Sequence, residues 1–88
     1  MTNTICRVCG FCYSNYCPWG EDGETPTYDH CVCCGCEFGF DDDDMAGEGI
    51  LSYRSRWLNR GAIFFMLSER PENWSLEDQL KNIPEEFR

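Results

Sequence analysis

An α+β fold, a small metal-stapled ribbon followed by a helical half, is what the 88-residue sequence predicts. Three observations carry that reading. Two Cys-x-x-Cys-Gly knuckles, Cys6-Arg-Val-Cys9-Gly10 and Cys31-Val-Cys-Cys34-Gly35, are separated by 21 residues. An apolar stripe at helical spacing begins at Ile50, and a shorter one begins after Ser75. The chain reads as a single domain, 1–88, with a metal-binding ribbon at 1–40, an acidic turn at 41–49 and a helical extension at 50–88. At this length a core alone is thin, so a metal or disulfide staple is expected.

Each knuckle sets two thiolates on one tight turn, and the two turns together supply the four sulfurs of a closed tetrahedral site. The glycine after the second cysteine permits the positive φ that aims backbone N–H groups at the sulfurs. Cys6, Cys9, Cys31 and Cys34 are therefore the expected ligands of one zinc ion, each pair on a short β-hairpin of a zinc ribbon. A second register, Cys9-Gly-Phe-Cys12 with Cys33-Cys-Gly-Cys36, has the same spacing, but neither Cys12 nor Cys36 is followed by glycine. Cys12, Cys17, Cys33 and Cys36 remain either as small apolar fillers or as a second metal site with His30. A tetrahedral four-sulfur site also suits iron, as in a rubredoxin-like electron carrier. The stretch Pro18-Trp-Gly-Glu-Asp-Gly-Glu-Thr-Pro26 reads as an exposed loop between the knuckles.

In the second half, Ile50, Leu51, Tyr53, Trp57 and Leu58 fall on one broad helical face and Gly61 marks its end. The run Ile63-Phe64-Phe65-Met66-Leu67 suits a buried strand or a buried helical turn equally well. Ser75 is a helix cap with Asp78 three residues on; Leu76, Leu80 and Ile83 form a stripe that Pro84 terminates.

The net charge is −9, and it is unevenly placed. Residues 1–49 carry ten acids and one base, Arg7, whereas residues 50–88 carry six of each. Four thiolates on a divalent ion add a further net −2. Such a surface repels phosphate backbones and suits a basic protein partner, so nucleic acid is disfavoured. The N-terminal residues show neither a basic nor an apolar export region, and the Ala62–Leu67 run is too short for a bilayer. A cytoplasmic protein with reduced thiols and no membrane association is the expectation.

Catalysis has little support. A closed four-sulfur sphere leaves no position for an activated water, and the single histidine, His30, adjoins an expected ligand. Asp41-Asp-Asp-Asp44 lacks the spaced pattern of a calcium loop and reads as a helix-dipole complement or a docking patch. Trp57 is expected in the core and Trp74 as a packing anchor. Trp19 reads either as an interface anchor beside Glu21, Asp22 and Glu24 or as a cover over the metal site.

Cys6-x-x-Cys9-Gly10-Phe11, Cys31-x-Cys-Cys34-Gly-x-Glu37-Phe-Gly-Phe-Asp41-Asp42, Arg56-Trp57-Leu58-x-x-Gly61 and Pro71-Glu-Asn-Trp74 with Gln79-Leu80 resemble small bacterial cysteine-rich, zinc-ribbon-like proteins. Some similar acidic proteins are encoded beside secreted toxins and look like immunity proteins. The resemblance implies a metal site over positions 6, 9, 31 and 34. Such relatives commonly have proline after the first knuckle cysteine, where this chain has Arg7 and Val32, and the extra Cys12, Cys17 and Cys36 are unusual. The expected function is non-enzymatic: a zinc-binding protein that neutralises a basic partner, as the immunity protein of a bacterial toxin, through Trp19, Glu21, Asp22, Glu24, Asp41, Asp42, Asp43 and Asp44. The alternative is an accessory or regulatory module that binds nucleic acid or transcription machinery through Arg54, Arg56, Arg60 and Arg70.

Overall fold

The computed structural model describes residues 3–88. The first half is built from two copies of one turn. Cys6 N–H donates to Phe11 O at 2.9 Å and Gly10 N–H to Cys6 O at 3.0 Å. Twenty-five residues on, Cys31 N–H donates to Cys36 O at 2.8 Å and Gly35 N–H to Cys31 O at 2.9 Å. Each turn is closed by a single antiparallel bridge, Ile5 with Cys12 and His30 with Glu37. The expected hairpins are thus pared to one bridging pair apiece, because the knuckle and its sulfurs hold the turn without a ladder. Gly10 and Gly35 sit at φ 84° and 82°, the left-handed conformation that closes each knuckle.

The second half begins with helix α1, Ile50–Asn59. The chain leaves α1 through Arg60 and Gly61, and Ala62 N–H returns to Trp57 O at 3.0 Å. Only Tyr53 and Trp57 of α1 are buried, so the helix packs along a narrow i, i+4 stripe. Leu51 and Leu58, placed by periodicity on the same face, lie in solvent. Helix α2, Leu76–Leu80, is capped by Ser75, whose Oγ accepts from Asp78 N–H at 3.3 Å. Short 3₁₀ turns occupy Leu67–Glu69 and Glu85–Phe87.

Up to Leu67, which opens a 3₁₀ turn, the aromatic run between the helices is neither strand nor helix. It lies extended along the second knuckle, with Phe65 N–H on Cys33 O and Met66 N–H on Val32 O, both at 2.8 Å. Phe64 alone turns inward, edge-on to Trp74 at 5.0 Å and to Phe11 at 6.1 Å. Trp57 fills the centre, its indole N–H on Ile63 O at 3.0 Å. Trp57, Phe38 and Val8 are buried with the knuckle cysteines in one cluster, so metal site and core are the same object.

Gly10 and Gly35 separate two costs of a side chain. A Cβ at Gly35 would press on the side chain of Phe65, which need shift only a few tenths of an ångström, whereas a Cβ at Gly10 would overlap the backbone carbonyl of Gln79 in α2. Gly35→Ala should cost the positive-φ penalty of about 1–2 kcal/mol. Gly10→Ala should cost clearly more and detach α2, read by urea denaturation of the metal-loaded protein and by loss of Trp74 burial in fluorescence.

Candidate metal centre

The two knuckle turns face each other and bring four sulfurs together. The Sγ atoms of Cys6, Cys9, Cys31 and Cys34 all lie within 4.8 Å of one another, and all four residues are buried. Between the knuckles, Cys6 and Cys34 Sγ are 3.8 Å apart and Cys9 and Cys31 Sγ 3.7 Å. A tetrahedron with metal–sulfur bonds of about 2.3 Å has edges of about 3.8 Å, so the cluster has the dimensions of a four-thiolate site. Of the two registers that spacing permits, the one in which glycine follows each second cysteine is the one that converges.

Electrostatics point the same way. Burial pushes the thiols of Cys9 and Cys31 well up. At Cys34 burial also opposes ionisation, but hydrogen bonds from Cys31 and Cys36 outweigh it and bring the thiol down to about 7. Four buried thiols within one another's reach cannot all ionise without a cation among them, and a divalent ion removes that conflict.

The surroundings of the sulfurs are built to hold them. Cys33 N–H donates to Cys31 Sγ at 3.4 Å. The Tyr13 hydroxyl donates to the same sulfur at 3.4 Å and accepts from Val32 N–H at 3.1 Å. Burial, and the charge of Cys31, push the Tyr13 phenol up, so it stays protonated and keeps its donor. The knuckle carbonyls point away from the sulfurs, and side chains and backbone N–H groups elsewhere in the chain satisfy them. Arg54 donates from Nη2 to Arg7 O at 2.9 Å and from Nε to Val8 O at 2.6 Å. Gln79 Nε2 reaches Cys9 O at 3.0 Å and Asn82 Nδ2 reaches Gly10 O at 3.3 Å. In the second knuckle the corresponding carbonyls take Met66 N–H, Phe65 N–H, Tyr53 Oη–H at 3.2 Å and the His30 ring at 3.0 Å.

Among the described residues this is the group of metal-capable side chains that converges, and the other four cysteines do not form a second site. Cys12 is exposed and Cys17 half-buried. Cys33 Sγ accepts from Gln79 Nε2 at 3.2 Å, and Cys36 Sγ lies 3.9 Å from Cys6 Sγ as a buried fifth sulfur at the edge of the cluster. His30 sits on the Phe65 ring, 5.7 Å between centroids, with its Nδ1 on Gly35 O.

The residues expected to form a docking face divide. Asp42 is 4 % exposed, and it takes the Trp19 indole N–H and the Gly39 N–H, both at 2.7 Å. Burial holds its carboxyl above the ordinary range. Trp19 is stacked under the Arg7 guanidinium at 4.2 Å. The bond between them ties the loop to the acidic turn: Asp42 is buried with both oxygens hydrogen-bonded, while Trp19 is half-buried. Asp41 and Asp22 serve local turns, accepting from Glu37 N–H at 2.9 Å and from Glu24 N–H at 2.8 Å. Glu21, Glu24 and Asp44 are exposed and Asp43 is half-exposed. Of the four arginines of the alternative nucleic-acid stripe, Arg54 donates to backbone carbonyls and Arg56 pairs with Glu48 at 2.7 Å, while Arg60 and Arg70 are exposed. Among the described residues no helix is long and apolar enough to cross a membrane.

Two curated relatives match the chain, both described as uncharacterized proteins of Bacillus subtilis (strain 168). YozI is 29% identical over 96 residues, covering 94% of this chain and 69% of its own length. YoaQ is 29% identical over 89 residues, covering 88% and 70%. No family model and no solved structure matches. The similarity therefore spans both the knuckles and the helical half.

Cys6→Ser, Cys9→Ser, Cys31→Ser or Cys34→Ser should each abolish stable metal binding, whereas Cys12→Ser should retain one ion per chain by native mass spectrometry. Stripping the metal with a chelator should collapse α1 helicity in circular dichroism, because the core is the site. Tyr13→Phe should keep the metal count and hasten transfer of the ion to a coloured chelator by about 10-fold or more, the usual loss when a ligand's outer hydrogen bond is removed.

Proposed function

We propose that the protein is a non-enzymatic binding module, stapled by one zinc ion, that neutralises a basic protein, as the immunity partner of a bacterial toxin does. The observation that carries this reading is a cleft of about 730 Å³ between the acidic turn, the start of α1 and the C-terminal turn. Ile50, Leu51, Phe87 and Trp19 line it together with Asp43, Asp44 and Glu86. Met45 stands at its mouth, 96 % exposed. Arg7 and Arg88 also line it, but Arg7 is held between the Trp19 and Phe87 rings and Arg88 donates to Ile83 O and Lys81 O. Apolar side chains beside carboxylates that form no ion pair among the described residues fit the long methylene stem and charged head of a lysine or arginine side chain.

Zinc's role in this reading is structural, holding the knuckles so that the cleft is formed before the partner arrives. The even mixture of charges in residues 50–88 and the excess acid in residues 1–49 would orient a cationic partner toward the cleft.

Native mass spectrometry of the protein co-expressed with the product of its neighbouring gene tests the reading. One zinc ion and a 1:1 complex with a basic protein are expected; iron, or no complex with any basic neighbour, overturns it. In such a complex Asp43→Asn with Asp44→Asn should slow association several-fold and flatten its dependence on salt. Asp42→Asn should instead lower stability, visible in the unfolding midpoint of the free protein.

A further inference from the structure

We infer that Cys36 is a positioning residue of the metal centre: its thiol stays off the ion and donates S–H to the ligand sulfur of Cys6, which has no N–H or O–H donor among the described residues. The inference rests on the four-sulfur centre described above and adds a fifth sulfur to its working parts.

The two knuckles are alike in backbone but differ in what surrounds their first cysteine. Cys31 Sγ takes two donors, Cys33 N–H and the Tyr13 hydroxyl, both at 3.4 Å. Cys6 holds the equivalent place in the first knuckle and is fully buried, so solvent supplies no donor either. Its close contacts are with other sulfurs, Cys34 Sγ at 3.8 Å and Cys36 Sγ at 3.9 Å. A buried thiolate without a donor bears the full cost of its lost hydration, and a ligand is ordinarily held by such an outer contact.

Of the sulfurs beside Cys6, Cys36 is the one left with a proton to give. Cys9, Cys31 and Cys34 belong to the converging set and shed their protons to bind, whereas Cys36 lies outside it. Cys36 is fully buried, and a fifth thiolate beside four would add a buried charge with no cation to offset it. Its sulfur has no nitrogen or oxygen partner among the described residues and meets only sulfurs of the cluster. Cys33, the other buried cysteine outside the set, differs in that its sulfur accepts from Gln79 Nε2 at 3.2 Å. An S–H group is a weak donor, but a charged acceptor strengthens the bond.

Loading the full chain with cobalt(II) tests this, because sulfur-to-cobalt charge-transfer bands report how electron-rich the ligand sulfurs are. Cys36→Ala should keep one ion per chain, move the band to longer wavelength, and weaken zinc binding about 10-fold in competition with a coloured chelator. Cys36→Ser, whose hydroxyl donates in place of the thiol, should hold both readouts close to wild type. Serine is smaller than cysteine, so a sulfur that only filled space would be missed equally in both variants. Cys12→Ala, at an exposed thiol, should change neither readout. Loss of the ion from Cys36→Ala alone is the expected result in stronger form. A Cys36→Ala chain equal to wild type in band and affinity, or a Cys36→Ser chain that matches Cys36→Ala or loses the ion, overturns the inference and leaves the four-sulfur centre standing. A wild-type chain that takes up no cobalt overturns the centre and the inference together.

Discussion

The geometry of a knuckle is the constraint on which the rest of the molecule depends. To bring its two sulfurs to one side, each Cys-x-x-Cys-Gly turn leaves four carbonyls, Arg7 to Gly10 and Val32 to Gly35, that its own turn does not satisfy. A carbonyl buried without a donor costs about 1–3 kcal/mol, so eight of them left bare would outweigh the stability of most small domains. The chain answers with eight donors, one for each carbonyl of Arg7 to Gly10 and of Val32 to Gly35. All but one of those donors come from residues after 50, and that is the physical reason the helical half exists as part of this domain.

The same constraint explains why the core has so little conventional anatomy. Trp57, Phe38 and Val8 pack directly on the cysteines, and no extended ladder forms among the described residues because the sulfur cluster already fixes the distance between the two turns. Tyr53 shows the economy of the arrangement: its ring is buried on the stripe of α1 and its hydroxyl caps Cys34 O. Gln79 is similar, joining the Trp74 indole at 2.6 Å to the carbonyl of Cys9 and the sulfur of Cys33.

How much of this was legible beforehand depends on the range of the interaction. The four converging cysteines were readable because spacing and the following glycine are local, and they exclude the register through Cys12 and Cys36 on the same grounds. The start of α1 and the Ser75 cap were readable for the same reason. Residues 62–67 were not, because their conformation is set by carbonyls of Val32 and Cys33 some thirty residues away, and hydrophobic periodicity has no term for that. Arg54 looked like a surface base, and nothing near it in sequence marks it as the donor to Arg7 and Val8. Trp19 read either as an interface anchor or as a cover over the metal site and Asp42 as part of an acidic run; their bond spans 23 residues, so no local signal joined them.

The outward carbonyls also set what this architecture asks of its own sequence. Backbone oxygens accept from any donor of suitable reach and have no preference for the residue that bears it. Positions 53, 54, 79 and 82 are therefore held to a chemical property, and neighbouring surface positions are held to almost nothing. A chain can drift far in the helical half and keep the fold, provided that a hydrogen-bond donor returns at those four places. Remote kin of such a domain are better sought by two cysteine turns followed by donors at fixed offsets than by overall similarity of sequence.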